Sequence, residues 1–224
     1  LGALAVFRFG SFVPIPGIDP EALRTFFEGA GGNILQYLNM FTGGALGRGT
    51  LFGLGITPYI NASIIMSLLT AVVPKLKELQ QQGREGKKVI TKYTRYGTLV
   101  IALIQSFGWS YFLVQQNIVA APSALFFFTA VVSMTSGTVF LMWLGERITE
   151  NGIGNGISVL IMAGIIARFP SQLASTWVEI TSGTVSPVWG IILIIVFIAV
   201  VAGVVIIQQG RRKIKIQYAK RTSG

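Results

Sequence analysis

Long apolar runs alternate with short polar segments along the whole chain. Four of these runs carry no charged residue and are 19 to 22 residues long: 52–73, 96–114, 125–144 and 188–207. A helix that crosses a bilayer needs about 20 apolar residues, because each residue rises ~1.5 Å and the hydrocarbon core is ~30 Å thick. The pattern therefore predicts a membrane-spanning helix in each of the four runs.

Two weaker runs predict two more spans. Residues 153–173 open with a glycine-rich segment and contain Arg168, whereas residues 1–13 contain Arg8 and lack an initial Met. We expect residues 1–13 to be the end of a helix whose first part is missing. The predicted fold is all-α: a polytopic α-helical membrane protein with six transmembrane helices.

A short apolar segment at 33–41 is too brief to span. Asn33 can cap it, and Gly43 and Gly44 can end it. Its apolar face consists of Ile34, Leu35, Leu38 and Phe41. Nine residues make a helix of roughly 13 Å, less than half of a bilayer core. Since lipid does not tolerate loose backbone, such a half-helix needs a protein-lined cavity. The pattern predicts a re-entrant plug or a binding element over 33–45, joined to the next span by a flexible, glycine-rich hinge.

Basic residues set the expected orientation. Of the 18 Lys and Arg residues, 14 lie in three alternate polar segments, 74–95, 145–152 and 208–224. The positive-inside rule assigns such segments to the cytoplasm. The truncated N-terminus is then cytoplasmic too, and the half-helix enters the membrane from the outer face.

Composition limits the chemistry. The chain has no cysteine and no histidine, and its eight carboxylates all lie outside the apolar runs. Disulfides, Ser-His and Cys-His nucleophiles and ordinary zinc sites are therefore excluded, and no carboxylate proton relay is visible within the bilayer. We expect no catalytic residues, no metal and no cofactor.

Several long segments resemble one family. They are IPGID, NMFTGGAL, GITPYINASIIMSLL, GREGKK, KYTRYGTL, FLMWLGERITENGIGNGIS and YAKR. In this order they are similar to bacterial members of the SecY/Sec61-alpha family of protein-conducting channels. The resemblance covers roughly the first six of the ten family helices, so helices seven to ten are absent. It implies part of a ten-helix, two-half channel in the bacterial plasma membrane. Such a subunit passes unfolded secretory polypeptides across the membrane and releases membrane helices laterally into it.

The resemblance also implies roles for individual residues. Residues 33–45 match the plug, which seals the outer funnel of the channel. An apolar pore ring matches Ile56, Ile60 and Ile161. The second and third spans match one wall of a lateral gate for signal sequences. Asn61 matches a gate position of the family, Ser63 follows it on the same span, and Gln105 is assigned to the gate from its depth in the third span. A narrow apolar ring suits a seal because it dewets and so blocks ions. Without the resemblance, Ile56 and Ile60 read as ordinary packing residues on one face of a helix.

Partners follow from the same resemblance. In the family, SecE and SecG accompany the channel, and the SecA ATPase or the ribosome docks on the cytoplasmic loops, where contact with ribosomal RNA is one option. The expected docking residues are Arg84, Lys87, Lys88, Arg211, Arg212 and Lys213. Signal sequences, nascent chains and the lipid bilayer complete the set of partners.

Two other functions compete with a channel. A secondary transporter of a small solute also uses broken helices, and ion coupling through backbone oxygens would need no carboxylate. An intramembrane serine protease could use Ser133 or Ser136, but it would lack a histidine.

Overall fold

The computed structural model describes residues 2–29, 32–152, 154–183 and 186–210. Within these ranges the regular structure is helical, apart from two isolated β-bridges, Pro14 with Thr50 and Ile18 with Val119. The helices are α1 (Gly2–Gly10), α2 (Pro20–Glu28), α3 (Gly32–Phe41), α4 (Thr57–Val72), α5 (Pro74–Gln81), α6 (Arg84–Gln115), α7 (Ala124–Asn151), α8 (Gly156–Thr181) and α9 (Pro187–Gln209). A 3₁₀ turn (Leu46–Arg48) lies between α3 and α4. The predicted all-α class is confirmed.

Four of the described helices, α6 to α9, are long and apolar enough to cross a membrane. The pair α4 and α5 would make a fifth span, although the two helices are bent by 100° at their junction. The fold is that of a multi-pass membrane protein, but the predicted number of six spans is not confirmed. One reason is that the described part of α1 has only nine residues. A second is that residues 51–56 form turns ahead of α4.

Several helices extend beyond the predicted spans. The basic segment 74–95, expected as a loop, is helical as α5 and the first turns of α6, with Gly83 at a φ of 70° between them. The expected polar loop at 145–152 belongs almost entirely to α7. Lys, Arg, Glu and Gln are good helix formers, so a helix need not stop where its apolar stretch stops. The distribution of charge therefore did not predict where these helices end.

Asp19, followed by Pro20 and Glu21, predicts the start of a short helix that reaches about Gly29 and lies at the surface. The amphipathic helix α2 begins as predicted. The Asp19 carboxylate accepts hydrogen bonds from the backbone N–H groups of Glu21 (2.9 Å) and Ala22 (3.2 Å). The expectation that this helix lies on the surface is wrong for its apolar side. Leu23 is 0% exposed and Phe27 8% exposed, within a core cluster that includes residues of α6 and α7.

Small side chains hold α6 against its neighbours. They recur every fourth residue along the buried face: Thr94, Thr98, Ala102, Ser106 and Ser110. The Ser106 and Thr135 hydroxyls hydrogen-bond at 2.9 Å between α6 and α7. A Cβ on Gly97 of α6 would lie 3.7 Å from the Ala62 Cβ of α4. Close backbone approach of this kind is how helices associate in lipid, where burial of apolar area gives no advantage.

The chain divides into two compact units, residues 1–170 and 171–224. The second unit contains the end of α8 and all of α9. Apolar side chains cover α9 on all sides and are largely exposed, with Ile207 at 80%. A helix that is apolar all round is suited to hydrocarbon. The residues described next all belong to the first unit.

Candidate functional site

A narrow apolar cavity of about 200 Å³ lies where α1, α3, α4 and α8 meet. Its lining consists of Phe7, Leu38, Phe41, Thr42, Gly55, Ile56, Thr57, Ile60, Leu160 and Ile161. The structure thus brings together the three side chains that were expected in a ring, Ile56, Ile60 and Ile161, although Ile161 is about a hundred residues away in the chain. Two expected plug residues, Leu38 and Phe41, line the same cavity.

The first turn of α4 positions two of the ring residues. The Ile60 N–H donates to the Ile56 carbonyl at 3.1 Å, so the two side chains lie one turn apart, as their spacing predicts. Pro58 lies in this first turn, where its fixed φ suits the start of a helix. Ile56 is only 6% exposed and packs in a core cluster with Phe7, whereas Ile60 is half-buried. Ile56 therefore serves both as a packing residue and as a cavity wall.

The half-helix α3 contributes side chains to two places. Leu38 and Phe41 face the narrow cavity, while Leu35 packs against the core cluster that contains α2. The side chains of Asn33 and Ile34 lie outside the described residues. Gly43 and Gly44, at φ of 66° and 88°, end the helix as predicted, because these positive angles favour glycine.

The glycine-rich segment after α3 is a hydrogen-bonded turn, so the expectation of a flexible hinge is wrong. The Asn39 side chain oxygen accepts from Gly47 N–H at 2.8 Å, and the Asn39 carbonyl accepts from Gly44 N–H at 2.8 Å. The Thr42 hydroxyl donates to the same carbonyl at 3.1 Å and accepts from Leu46 N–H at 3.2 Å. Asn39 and Thr42 are 6% and 5% exposed. The sequence signal that was missed is this pair of polar residues directly before the glycines.

The end of α3 rests on α8 through two glycines. A Cβ on Gly43 would lie 3.2 Å from the Gly164 Cα, and a Cβ on Gly164 would lie 3.1 Å from the Phe41 carbonyl oxygen. Both distances are shorter than ordinary van der Waals contact, so the backbones can meet only because neither residue has a side chain. Gly164 was not singled out from the sequence.

A second, wider cavity of about 1300 Å³ opens beside the basic helices. Its charged lining consists of Arg84, Lys87, Lys88, Lys92, Arg95, Glu146 and Glu150. The expected docking residues Arg84, Lys87 and Lys88 therefore lie around one opening, while Arg211, Arg212 and Lys213 lie outside the described residues. Ile60 lines both cavities.

One ion pair ties the walls of the wide cavity together. Arg95 of α6 contacts Glu146 of α7 through two N–O pairs, each 2.8 Å long, and the Glu146 side chain is only 20% exposed. A two-point guanidinium–carboxylate pair of this kind fixes the relative orientation of two helices. The remaining basic residues exceed the carboxylates, so the opening favours an acidic partner.

The expected gate residues are only partly brought together. Ser63 lines the wide cavity beside Ile60, whereas the half-buried Asn61 and Gln105 line neither cavity. Their joint role stays a prediction. Among the described residues, no cluster of Asp and Glu could hold a metal ion.

Comparisons with known proteins match this architecture. Residues 50–224 match the family model described as SecY. The chain is 49% identical to the protein translocase subunit SecY of Escherichia coli (strain K12), covering 100% of this chain and 52% of that protein. It is also 49% identical to the same subunit of Buchnera aphidicola subsp. Acyrthosiphon kondoi, covering 100% of this chain and 64% of the relative. The chain thus spans about half to two thirds of the length of these relatives.

Two solved structures share the fold. One is described as "The structure of a protein conducting channel" (TM-score 0.62, 18% identity, 88% of this chain and 44% of that chain). The other is Sec61 in the canine ribosome-channel complex (TM-score 0.63, 18% identity, 97% of this chain and 47% of that chain).

Proposed function

The chain belongs to the SecY family, and we propose that it forms the first half of a protein-conducting channel. The complete channel is the central pore-forming subunit of the Sec translocase in the bacterial plasma membrane. It passes unfolded secretory polypeptides across the membrane and releases membrane helices laterally into the lipid. The family relatives are named as translocase subunits, which favours a channel over a transporter of small solutes. The channel is passive, carries out no catalysis and is driven by its partners.

The observation that carries this proposal is the meeting of Ile56, Ile60 and Ile161 with α3 at one narrow cavity. The three side chains are half of an apolar pore ring, and residues 33–45 are the plug beside it. An apolar constriction excludes water and ions, while its flexible side chains can yield to a polypeptide. The wide basic cavity on the other side of Ile60 is then the cytoplasmic vestibule. Asn61, Ser63 and Gln105 belong to one wall of the lateral gate.

A stalled secretory polypeptide is expected to crosslink to the ring. With benzoylphenylalanine in place of Ile60 or Ile161 in the full-length protein, light should join the channel to a polypeptide halted during export, because a chain in transit must pass the narrowest point. The matched control places the same residue at Phe128 of α7, which is 69% exposed and lines neither cavity. Equal crosslinking at all three positions would contradict the proposal.

The partners dock at the wide cavity. SecE and SecG complete the membrane complex, and SecA or the ribosome approaches Arg84, Lys87 and Lys88 from the cytoplasm. The ribosome is supported by the resemblance of the fold to a channel described in complex with one. Ribosomal RNA and acidic protein surfaces are both drawn to an opening with an excess of cations.

Reversing the charge of Lys87 and Lys88 to glutamate is expected to weaken binding of SecA or ribosomes by about tenfold at low salt. Both lysines are exposed and line the wide cavity. The affinity of the parent protein for its partner should fall steeply as the salt concentration increases. The affinity of the variant should depend less on salt, because it makes fewer ionic contacts that salt can weaken. Lys75→Glu with Lys77→Glu makes the same change of charge on α5, outside the cavity lining. Equal losses in both double variants would show that only net charge matters.

A further inference from the structure

Asparagine precedes glycine at two places in this chain, Asn151–Gly152 and Asn155–Gly156. Such pairs are chemically labile, because the backbone nitrogen of the glycine can attack the side-chain carboxamide of the asparagine and no Cβ stands in its way. Both pairs lie where α7 ends and α8 begins, and both asparagines are exposed. The two glycine nitrogens nevertheless have very different surroundings.

The Gly156 nitrogen is held in place. Its N–H donates to the Thr149 hydroxyl at 2.8 Å, and that hydroxyl donates to the Gly145 carbonyl at 2.9 Å. Gly156 is buried, and a Cβ on it would lie 2.0 Å from the Gly145 carbonyl oxygen. The Asn155 side-chain oxygen is also occupied, since it accepts from the Ile157 N–H at 3.0 Å. Attack by this nitrogen would therefore require two hydrogen bonds to break and closely packed backbone to move.

The Gly152 nitrogen has no such restraint. Gly152 is exposed and directly follows the last residue of α7, and its N–H donates no hydrogen bond within the part of the chain that the structure describes. The Asn151 side chain makes one exposed hydrogen bond, from its Nδ2 to the Arg147 carbonyl at 3.2 Å. Helix ends fray more readily than helix interiors, so this carboxamide can turn toward the glycine.

We propose that Asn151 is a site of spontaneous deamidation and that the Thr149 hydroxyl protects Asn155 from the same reaction. The Gly152 nitrogen forms a bond to the Asn151 Cγ, the bond from Cγ to Nδ2 breaks, and Nδ2 leaves as ammonia with the proton of the attacking N–H. The product is a cyclic succinimide. Water then opens either of its two carbonyl–nitrogen bonds, which gives aspartate or isoaspartate at position 151.

The reaction adds a negative charge at the edge of the wide cavity. The new carboxylate is the chain neighbour of Glu150, which lines this cavity together with an excess of Lys and Arg. A carboxylate at the C-terminal end of α7 is also unfavourable in the field of the helix dipole. Deamidation therefore lowers the positive charge around the opening, and on the function proposed above it weakens docking of an acidic partner. The chemistry at Asn151 does not depend on that function.

Ageing of the full-length protein in detergent at mildly alkaline pH tests the site. Cleavage after Arg147 and Arg168 yields one peptide, 148–168, that contains both asparagines, so each site is the internal standard of the other. Electron-transfer fragmentation separates the two positions and distinguishes aspartate from isoaspartate. We expect conversion at Asn151 to be at least about tenfold faster than at Asn155, because only the latter must give up a buried hydrogen bond and close packing. In the same peptide released before ageing, both should convert at similar rates, since each precedes a glycine.

A second measurement tests the role of Thr149. Thr149→Val removes the hydroxyl and nearly keeps the volume, so conversion at Asn155 should rise about tenfold while conversion at Asn151 stays as in the parent. Thr129→Val is the matched control, because the Thr129 hydroxyl also donates to a carbonyl of α7, that of Leu125 at 2.7 Å, but lies near the opposite end of the helix.

Three outcomes would contradict the proposal. Equal conversion of the two asparagines in the folded parent, or slower conversion of Asn151, would show that the hydrogen bonds of the turn do not decide the reaction. No conversion of Asn151 under conditions that convert the free peptide would show that the folded chain protects this site as well. An unchanged rate at Asn155 in Thr149→Val would overturn the protective role of the hydroxyl.

Discussion

Replacing Ile60 and Ile161 with serine in the full-length channel is expected to raise its resting ion conductance by at least about tenfold. Both side chains line the narrow cavity, which is walled mainly by apolar groups. Water leaves such a constriction because the walls offer it no hydrogen bonds, and an ion cannot cross without its hydration shell. Serine hydroxyls supply those hydrogen bonds and occupy less volume, so water and ions should enter.

The choice of residues keeps this experiment interpretable. Ile56 is left unchanged because it is 6% exposed in a core cluster, where truncation to a polar residue destabilises the fold by several kcal/mol. Ile64→Ser with Ile65→Ser is the control, since both side chains are about half exposed on the next turn of α4 and neither lines the narrow cavity. Currents are measured in planar bilayers. If the ring variant still exports protein but conducts no more than its parent, the ring assignment is wrong.

A valine at Gly164 is expected to displace α3, the proposed plug. The space beside Gly164 is occupied by backbone, with the Phe41 carbonyl oxygen 3.1 Å and the Gly43 N 3.4 Å from the position of a Cβ. Backbone held by the Asn39 hydrogen bonds cannot rotate away as a flexible side chain can. The end of α3 must therefore move from α8, and closure should weaken by roughly 1–3 kcal/mol, the usual effect of overpacking.

The effect of Gly164→Val is measured by export of a secretory protein with a defective signal sequence and by resting conductance. A weakening of that size corresponds to a rise of about 5- to 150-fold in the open population, so both readouts should increase. Gly108→Val is the control, because Gly108 also lies within a helix but has no atom within 4 Å of its Cβ position. If Gly164→Val accumulates to normal levels but exports no more of the protein with the defective signal sequence than its parent does, the glycine contact does not hold the plug closed.

The sequence by itself determined the features that depend on local order. Apolar runs without charge predicted the long helices, since burial in hydrocarbon requires length and lack of charge. Asp19 was recognised as a cap because capping involves only the next three residues, and the spacing of Ile56 and Ile60 predicted their shared face. Gly43 and Gly44 marked the end of α3 for the same local reason. The family motifs were also visible, because identical residues in the same order need no structure to be recognised.

Only the tertiary structure decided which distant residues meet. Gly164 carries no periodic signal, since a glycine that allows close backbone approach looks the same in a sequence as one that faces lipid. Asn39 and Thr42 convert a glycine-rich segment, which composition suggests is flexible, into a buried turn, because hydrogen bonds across up to eight residues are invisible to composition. Arg8 and Arg48 likewise meet over one ring, that of Phe12, at 4.7 Å and 4.4 Å from its centre, only because of how α1 and the turn between α3 and α4 pack. Packing joins residues by their position in space, and the order of the chain does not encode that position directly.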